Sequence, residues 1–370
     1  MKDDRNRIIT VLIILTLSFL ALTLYVSSAY APSVSARAAA LYEPTSQSFI
    51  YTKNENKHLP MASTTKIMTA LIALEQLSPT DLIEVDERAV GTDGSSIYLE
   101  EGEILSAESL LYALMLGSAN DAAEALAYAI SGDIADFAEL MNKRAIELGA
   151  TDTCFKNPHG LDAGGHYTTA HDLALIGAEA LKNDLFRQVV STYKKEIESS
   201  LKKRVVVNHN KLLKLYDGCI GVKTGYTQLS GRSLVSAAER DGTTLICVTI
   251  DAPDDWRDHT ELLNYGFESI HTAGVLEEGE ISYSLPVLNS DRENIRITNK
   301  EAFKYVYRGE APIFTRQVNL PRYFAAPIKA GDAVGEVVLY ADGAEIGRVP
   351  LIAEENAAEI KEKSFWEGLF

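Results

Sequence analysis

Between residues 63 and 181 apolar side chains recur at helical spacing almost without interruption, and short β-type segments stand on both sides of that block. Such a chain builds one sheet only by bringing strands together from both ends of the segment, with the helices packed over it. Upstream, "ARAAALYE" and "SFIYTKNEN" within residues 37–57 read as a hairpin turning near Pro44. Downstream of Val205, "RVVVNH", "CIGVKTGY", "RSLVSAAER" and "TTLICVTID" are short strands separated by Gly, Asp and Gln turns, closed by the helix "WRDHTELLNYGFESI". The expected fold class is mixed α/β, an antiparallel sheet with a helical block, over residues 39–276.

Inside the block, "STTKIMTALIALEQL" is apolar nearly all round, as a central buried helix must be. "SAESLLYALMLG" predicts a second helix stopped by Gly117 as a left-handed cap. Asp121 is the expected N-cap of a third, "DAAEALAYAIS". "IADFAELMNKRAIELG" makes a fourth, closed by Gly149, and a fifth runs from about Thr169. Beyond "HTAGVLEEGE" helix signals vanish. Ile281, Tyr283, Leu285 and Val287 alternate with smaller or polar residues, and Asp342-Gly343 turns a hairpin, so residues 277–353 predict a small all-β sandwich. Residues 354–370 predict a short amphipathic helical tail with Phe365, Trp366, Leu369 and Phe370 on one face.

At the other end, Lys2, Arg5 and Arg7 precede the apolar run Ile8 to Val26. Small-x-small triplets follow, "VSA" ending at Ala36 and "ARA" ending at Ala38. Residues 1–38 therefore read as a signal peptide or, at 19 apolar residues, an N-terminal anchor. Either way the remainder is expected outside the cytoplasmic membrane, exported or membrane-associated. A formal net charge of −17 without any basic run excludes nucleic acid as a partner. Cys154, Cys219 and Cys247 are odd in number and lack C-x-x-C spacing, which fits neither a disulfide framework nor a zinc cage. The seven histidines are scattered, and His166 and His171 miss the i, i+4 spacing of a helical metal pair, so neither metal nor cofactor is expected.

The chemistry centres on Ser63 and Lys66. A serine hydroxyl is a poor nucleophile until a neighbouring base takes its proton. Three residues along a helix put Lys66 one turn away on the same face. Among Ile67, Met68, Leu71 and Ile72 that amine would be costly to charge, which favours a neutral lysine base. The quartet alone is weak, since Ser191/Lys194, Ser199/Lys202 and Ser200/Lys203 repeat it with no apolar helix behind them. Two unique motifs add weight. "GSAND" places Ser118 and Asn120 in the break between two helices, and "GVKTGYT" places Lys223, Thr224 and Gly225 on a strand. Gly225 would let a substrate backbone lie close to the strand edge, and Lys223 would supply positive charge for a carboxylate or for orienting Ser118.

Ser-x-x-Lys, Ser-x-Asn and Lys-Thr-Gly in this order are the arrangement of penicillin-binding proteins and class A β-lactamases. With "NPHGLDAGGHYTTAHDLALIG" and "PIKAGDAVGEVVLY", the chain resembles the serine D-alanyl-D-alanine carboxypeptidases, the low-molecular-mass penicillin-binding proteins. The resemblance implies Ser63 as acylated nucleophile, Lys66 as its base, Ser118 as proton relay and Asn120 as a substrate-orienting group. It implies Lys223 and Thr224 at the terminal carboxylate, with an oxyanion hole from the N–H groups of Ser63 and Tyr226. It assigns His159 to loop architecture and makes Arg257 the nearest candidate for a carboxylate-holding arginine. The implied substrate is the D-Ala-D-Ala end of the peptidoglycan pentapeptide stem, with β-lactams as inhibitors and the cytoplasmic membrane surface as a possible partner. Two alternatives stand beside this reading, a β-lactamase and a non-catalytic cell-wall scaffold. Against the first, the middle residue of Ser-x-Asn is Ala119 and "NPHGLDAGGHY" holds no glutamate.

Overall fold

The computed structural model describes residues 31–360. The expected leader at its apolar core and the aromatic end of the tail fall on residues 1–30 and 361–370, outside that range. The chain divides into two compact units, Met1–Ser269 and Ile270–Phe370.

In the first unit, β1 (Ala38–Glu43) and β2 (Ser48–Lys53) form the predicted hairpin. A 3-10 turn at Ala62–Thr65 then leads into α1 (Lys66–Gln76). The short pair β3 (Leu82–Glu84) and β4 (Ile104–Ser106) follows. Helices α2 (Ala107–Leu116), α3 (Asn120–Ser131), α4 (Ile134–Glu147), α5 (Ala170–Ala180) and α6 (Asp184–Ser191) complete the block. After β5 (Lys194–Glu198), β6 (Lys203–Val207) and the single turn α7 (Leu212–Leu215) come the long strands β7 (Cys219–Thr227), β8 (Gly231–Arg240) and β9 (Thr243–Ile250), then α8 (Asp255–Ser269).

The main sheet runs β2-β1-β9-β8-β7, so β1 from before the helical block pairs antiparallel with β9 from after it. This leaves β7 at the sheet edge. Helices cover both faces, because successive residues of a strand point opposite ways. Gly177 of α5 lies over Val235 and Ile246, whereas Gly266 of α8 lies over Leu245 and Leu41. Helix α1 is buried at every residue from Lys66 to Ala73, as its all-round apolar sequence requires.

Several local expectations are corrected. Gly117 ends α2 at φ −78°, and the left-handed residue is the next one, Ser118, at φ +57°. Asp121 is not the N-cap of α3, which begins at Asn120 after Ala119 with no side-chain cap. Its buried carboxylate instead accepts from Ser96 Oγ at 2.6 Å and from the N–H of Leu99 at 3.0 Å, tying down the loop before β4. Helix α6 continues the block past Leu181, capped by Asn183, which accepts from the N–H of Phe186. The strand read at Val205 pairs with β5 in a separate two-stranded sheet.

The second unit is all-β. It contains β10 (His271–Leu276), β11 (Ser282–Leu288), β12 (Asn294–Asn299), β13 (Phe303–Tyr307), β14 (Phe314–Asn319), β15 (Phe324–Ala325), β16 (Ala333–Ala341) and β17 (Ala344–Ala353). Six of these form the sheet β14-β16-β17-β12-β11-β15, and β10 pairs with β13. Because β10 pairs inside this unit, the division lies at 269/270 rather than at the expected 276/277. Residues 354–360 are extended where a helical tail was expected, with Ala357 bridging Ile328 and Glu359 bridging Ser290.

Candidate active site

The first unit brings the three motifs to one place. Ser63 sits in the 3-10 turn, and Ala62 before it holds a left-handed φ of +48°. Two glycines make room for this turn. A Cβ on Gly160, itself at φ +91°, would stand 1.9 Å from the Ala62 carbonyl oxygen. One on Gly225 of β7 would stand 3.1 Å from Ala62 Cβ, Met61 O and Ser63 N. Gly225 is therefore required by the approach of the strand to the nucleophile's own turn, and it also lines the cleft.

Lys66, the first residue of α1, is fully buried. Its Nζ lies 3.0 Å from Ser63 Oγ, 2.7 Å from Asn120 Oδ1 and 2.5 Å from the His159 carbonyl. Burial, reinforced by the charge of Lys223, holds this amine well below the usual lysine range, with Asp121 opposing. A neutral amine satisfies the geometry. As a neutral amine it would keep N–H bonds to Asn120 and His159 and could turn its lone pair to the Ser63 hydroxyl, to which its nitrogen donates in this structure.

Asn120 begins α3 and is fixed on all sides. Its N–H donates to Ser95 O at 2.7 Å and its Nδ2 to Asp93 O at 2.6 Å. The side chain's amide is thus committed to Lys66 and to the loop backbone. Ser118, buried and left-handed, faces the cleft from the break between α2 and α3. Lys223 of β7 is fully buried rather than lining the cleft, donates to the Thr224 carbonyl at 2.9 Å, and is pushed down to about 7 by that burial. Thr224 and Tyr226 line the same cleft of about 360 Å³, and Tyr226 is exposed.

His159 does not line the cleft. Its ring accepts the N–H of Leu161 at Nδ1 and faces Glu124 at Nε2. Arg257 lies outside too, on the outer side of α8 within ion-pair distance of Asp254, Asp258 and Glu261. Lys211 and, from β8, Arg232 both line the cleft, and Arg232 is paired across the hairpin with Tyr226. Its Nη2 donates to Asp255 Oδ1 at 2.9 Å, its guanidinium lies 5.6 Å from the Trp256 ring centre, and its buried Nε has no acceptor among the described residues. Sequence reading passed over Arg232, Asp255 and Trp256. The only available signal was the short β7–β8 turn, which sets residue 232 opposite residue 226. Among the described residues no cluster of side chains suits a metal ion.

Fold and site define a serine peptidase of the penicillin-binding type, with a buried lysine amine 3.0 Å from a serine hydroxyl. Residues 25–254 match the family model described as D-alanyl-D-alanine carboxypeptidase, Peptidase_S11, and residues 271–359 match that of the penicillin-binding protein 5 C-terminal domain. The chain belongs to the serine D-alanyl-D-alanine carboxypeptidase family. It is 32% identical over 332 residues to D-alanyl-D-alanine carboxypeptidase DacF of Bacillus subtilis, covering 87% of this chain and 85% of that one. It is 32% identical over 346 residues to DacC of Escherichia coli, covering 89% and 86%. Among solved structures, penicillin-binding protein 5 of Haemophilus influenzae superposes with a TM-score of 0.67 at 28% identity, over 90% of this chain and 100% of that one.

Proposed function

We propose that the D-alanyl-D-alanine carboxypeptidase activity of this family runs here through a Ser63 acyl-enzyme. Neutral Lys66 takes the Ser63 proton as Oγ attacks the carbonyl between the two terminal D-alanines of a peptidoglycan stem. The N–H groups of Ser63 and Tyr226 hold the developing oxyanion. The terminal D-Ala leaves as an amine, protonated through Ser118, and water then hydrolyses the ester. Lys223 and Thr224 steer the substrate carboxylate, and Arg232 rather than Arg257 grips it. A β-lactam acylates the same serine.

One observation carries this reading. A fully buried amine lies 3.0 Å from a serine hydroxyl, with its two other acceptors already in place. The β-lactamase alternative needs rapid hydrolysis of the same ester, and among the described residues the one carboxylate lining the cleft, Asp255, is tied to Arg232. On this reading the protein works outside the cytoplasmic membrane, supported by the basic-then-apolar start of the chain. Any contact with the membrane surface would come through residues 1–38 or 354–370.

The test is incubation with labelled penicillin and with a peptide ending in D-Ala-D-Ala. Wild type is expected to form a long-lived adduct and to release D-Ala, and Ser63→Ala to do neither. An adduct on Ser63→Ala would overturn the assignment, and fast penicillin turnover without D-Ala release would favour the β-lactamase.

A further inference from the structure

Behind the catalytic lysine lies a carboxylate that the reaction as written does not use. Glu124 is on α3, four residues after Asn120, so both project from one face of the helix on successive turns. Asn120 reaches Lys66 directly. Glu124 Oε1 instead lies 3.2 Å from Nε2 of His159, the residue whose carbonyl is another acceptor for Lys66. Its second oxygen accepts from the Thr92 hydroxyl at 3.0 Å.

The hydrogen-bond pattern fixes the direction of each contact. His159 Nδ1 accepts the N–H of Leu161 at 3.1 Å, so the ring proton is on Nε2 and is donated to Glu124. Both partners are mostly buried, with 9% and 14% of their side chains exposed. Burial keeps His159 below its usual range even against the pull of Glu124, consistent with a neutral ring. The loop around it is held in place by hydrogen bonds and close packing. Gly160 is left-handed and abuts the Ala62 carbonyl, Asn157 Oδ1 accepts from the Gly160 N–H at 2.7 Å, and Thr69 Oγ1 donates to Pro158 O at 2.6 Å. An unbraced His159 would leave one of the two carbonyl acceptors of Lys66 free to shift.

We propose that Glu124 is a positioning residue for catalysis: by accepting the His159 ring proton it fixes the carbonyl that aims the Lys66 amine at Ser63. It touches no reacting atom. One helix thereby supplies one of the lysine's acceptors outright and braces the other. The inference rests on Lys66 as the base.

The experiment measures penicillin acylation with the binding step and the chemical step resolved, in Glu124→Ala, Glu124→Gln, Thr92→Val and Ser63→Ala. A glutamine still accepts from His159, so Glu124→Gln is expected within about threefold of wild type, because the hydrogen bond rather than the charge is what matters. Glu124→Ala is expected to lower the acylation rate constant about thirtyfold with unchanged initial binding, as misaiming a catalytic group does. Thr92→Val, which removes the hydroxyl shared between Glu124 Oε2 and the Ala89 carbonyl, is expected to fall several-fold and keeps the test available if the alanine variant does not fold. Acylation by Glu124→Ala or Thr92→Val within twofold of wild type would overturn the proposal, as would equal impairment of Glu124→Ala and Glu124→Gln. An adduct on Ser63→Ala would instead overturn the underlying assignment of the nucleophile.

Discussion

At the scale of single residues, the cleft departs most from the expected pattern at its carboxylate end. Arg257 sits on the outer side of α8 among three acidic groups, where ion pairs contribute little. Arg232 carries one donor to Asp255 and one buried donor, Nε, with no acceptor among the described residues. An unmet buried donor costs about 1–3 kcal/mol, so the guanidinium gains by turning onto an incoming carboxylate. Arg232→Ala is expected to lower kcat/KM for a D-Ala-D-Ala peptide by about tenfold to a hundredfold, the worth of a charged hydrogen bond. Arg257→Ala should stay within about twofold, since Arg257 is itself solvent-exposed and lies outside the cleft. Steady-state kinetics on the two variants decides between them, and the reverse order would return the role to Arg257.

At the scale of elements, the site depends on how closely β7 approaches the turn before α1. A methyl on Gly225 would meet Ala62 Cβ, Met61 O and Ser63 N at 3.1 Å, two of them backbone atoms that cannot swing aside. Gly225→Ala should therefore push the turn that carries Ser63 off the strand by a few tenths of an ångström and lower the acylation rate by about threefold to tenfold. Gly266→Ala is the contrasting case. Its methyl would meet the ends of Leu245 and Leu41 at 2.6 Å on the opposite face of the sheet. Overpacking there should cost about 1–3 kcal/mol of stability and leave acylation of the folded protein unchanged. Denaturation midpoints and acylation rates measured on both variants check the pair. Equal acylation by both would sink the account of Gly225.

Elements also show what the sequence made legible. The β1–β9 pairing followed from strands flanking a helical block, and α1 from an apolar run too uniform for a surface helix. The Ser63, Lys66 and Lys223 set followed from motif order. Less visible was anything decided by a fold-dependent partner. Gly117 looked like the left-handed cap, yet Ser118 takes that conformation in the break before α3. Asp121 looked like a cap, yet it holds the 96–99 loop. Arg232 and Glu124 carry no motif at all. Each gains meaning only when the β7–β8 hairpin and the 157–161 loop close around the site.

For the whole molecule, buried neutral histidines set how it should respond to acid. His259 is fully buried, with Nδ1 2.6 Å from Ser236 Oγ and Nε2 2.9 Å from Thr249 Oγ1, and burial pushes it down to about 3. His166 is buried between the Lys156 N–H at 3.0 Å and Thr65 Oγ1 at 2.8 Å, beside the catalytic turn, and is pushed down to about 4. Both folded values lie below the unfolded one of roughly 6.5, so between them the unfolded chain binds more protons. Their contribution to stability is thus intact above pH 6.5 and is lost as pH falls toward 4. Glu103, held to about 2 by Arg204 against its burial, loses its contribution only below about pH 4.5. Lys66 and Lys223, whose folded values are lowered, oppose stability as their unfolded forms charge below about 10.5, which is already largely complete for Lys223 by neutral pH. Between pH 6.5 and 4.5 the two histidines therefore act in the same direction as His159 and Lys66, whose folded values are also lowered. The slope approaches about 1.4 kcal/mol per pH unit for each of His166 and His259 once the pH is well below 6.5. Urea unfolding across that range should show stability declining with proton uptake, and His259→Asn should lower the uptake by about one. A flat profile over that range would mean that these imidazoles are not held neutral in the fold.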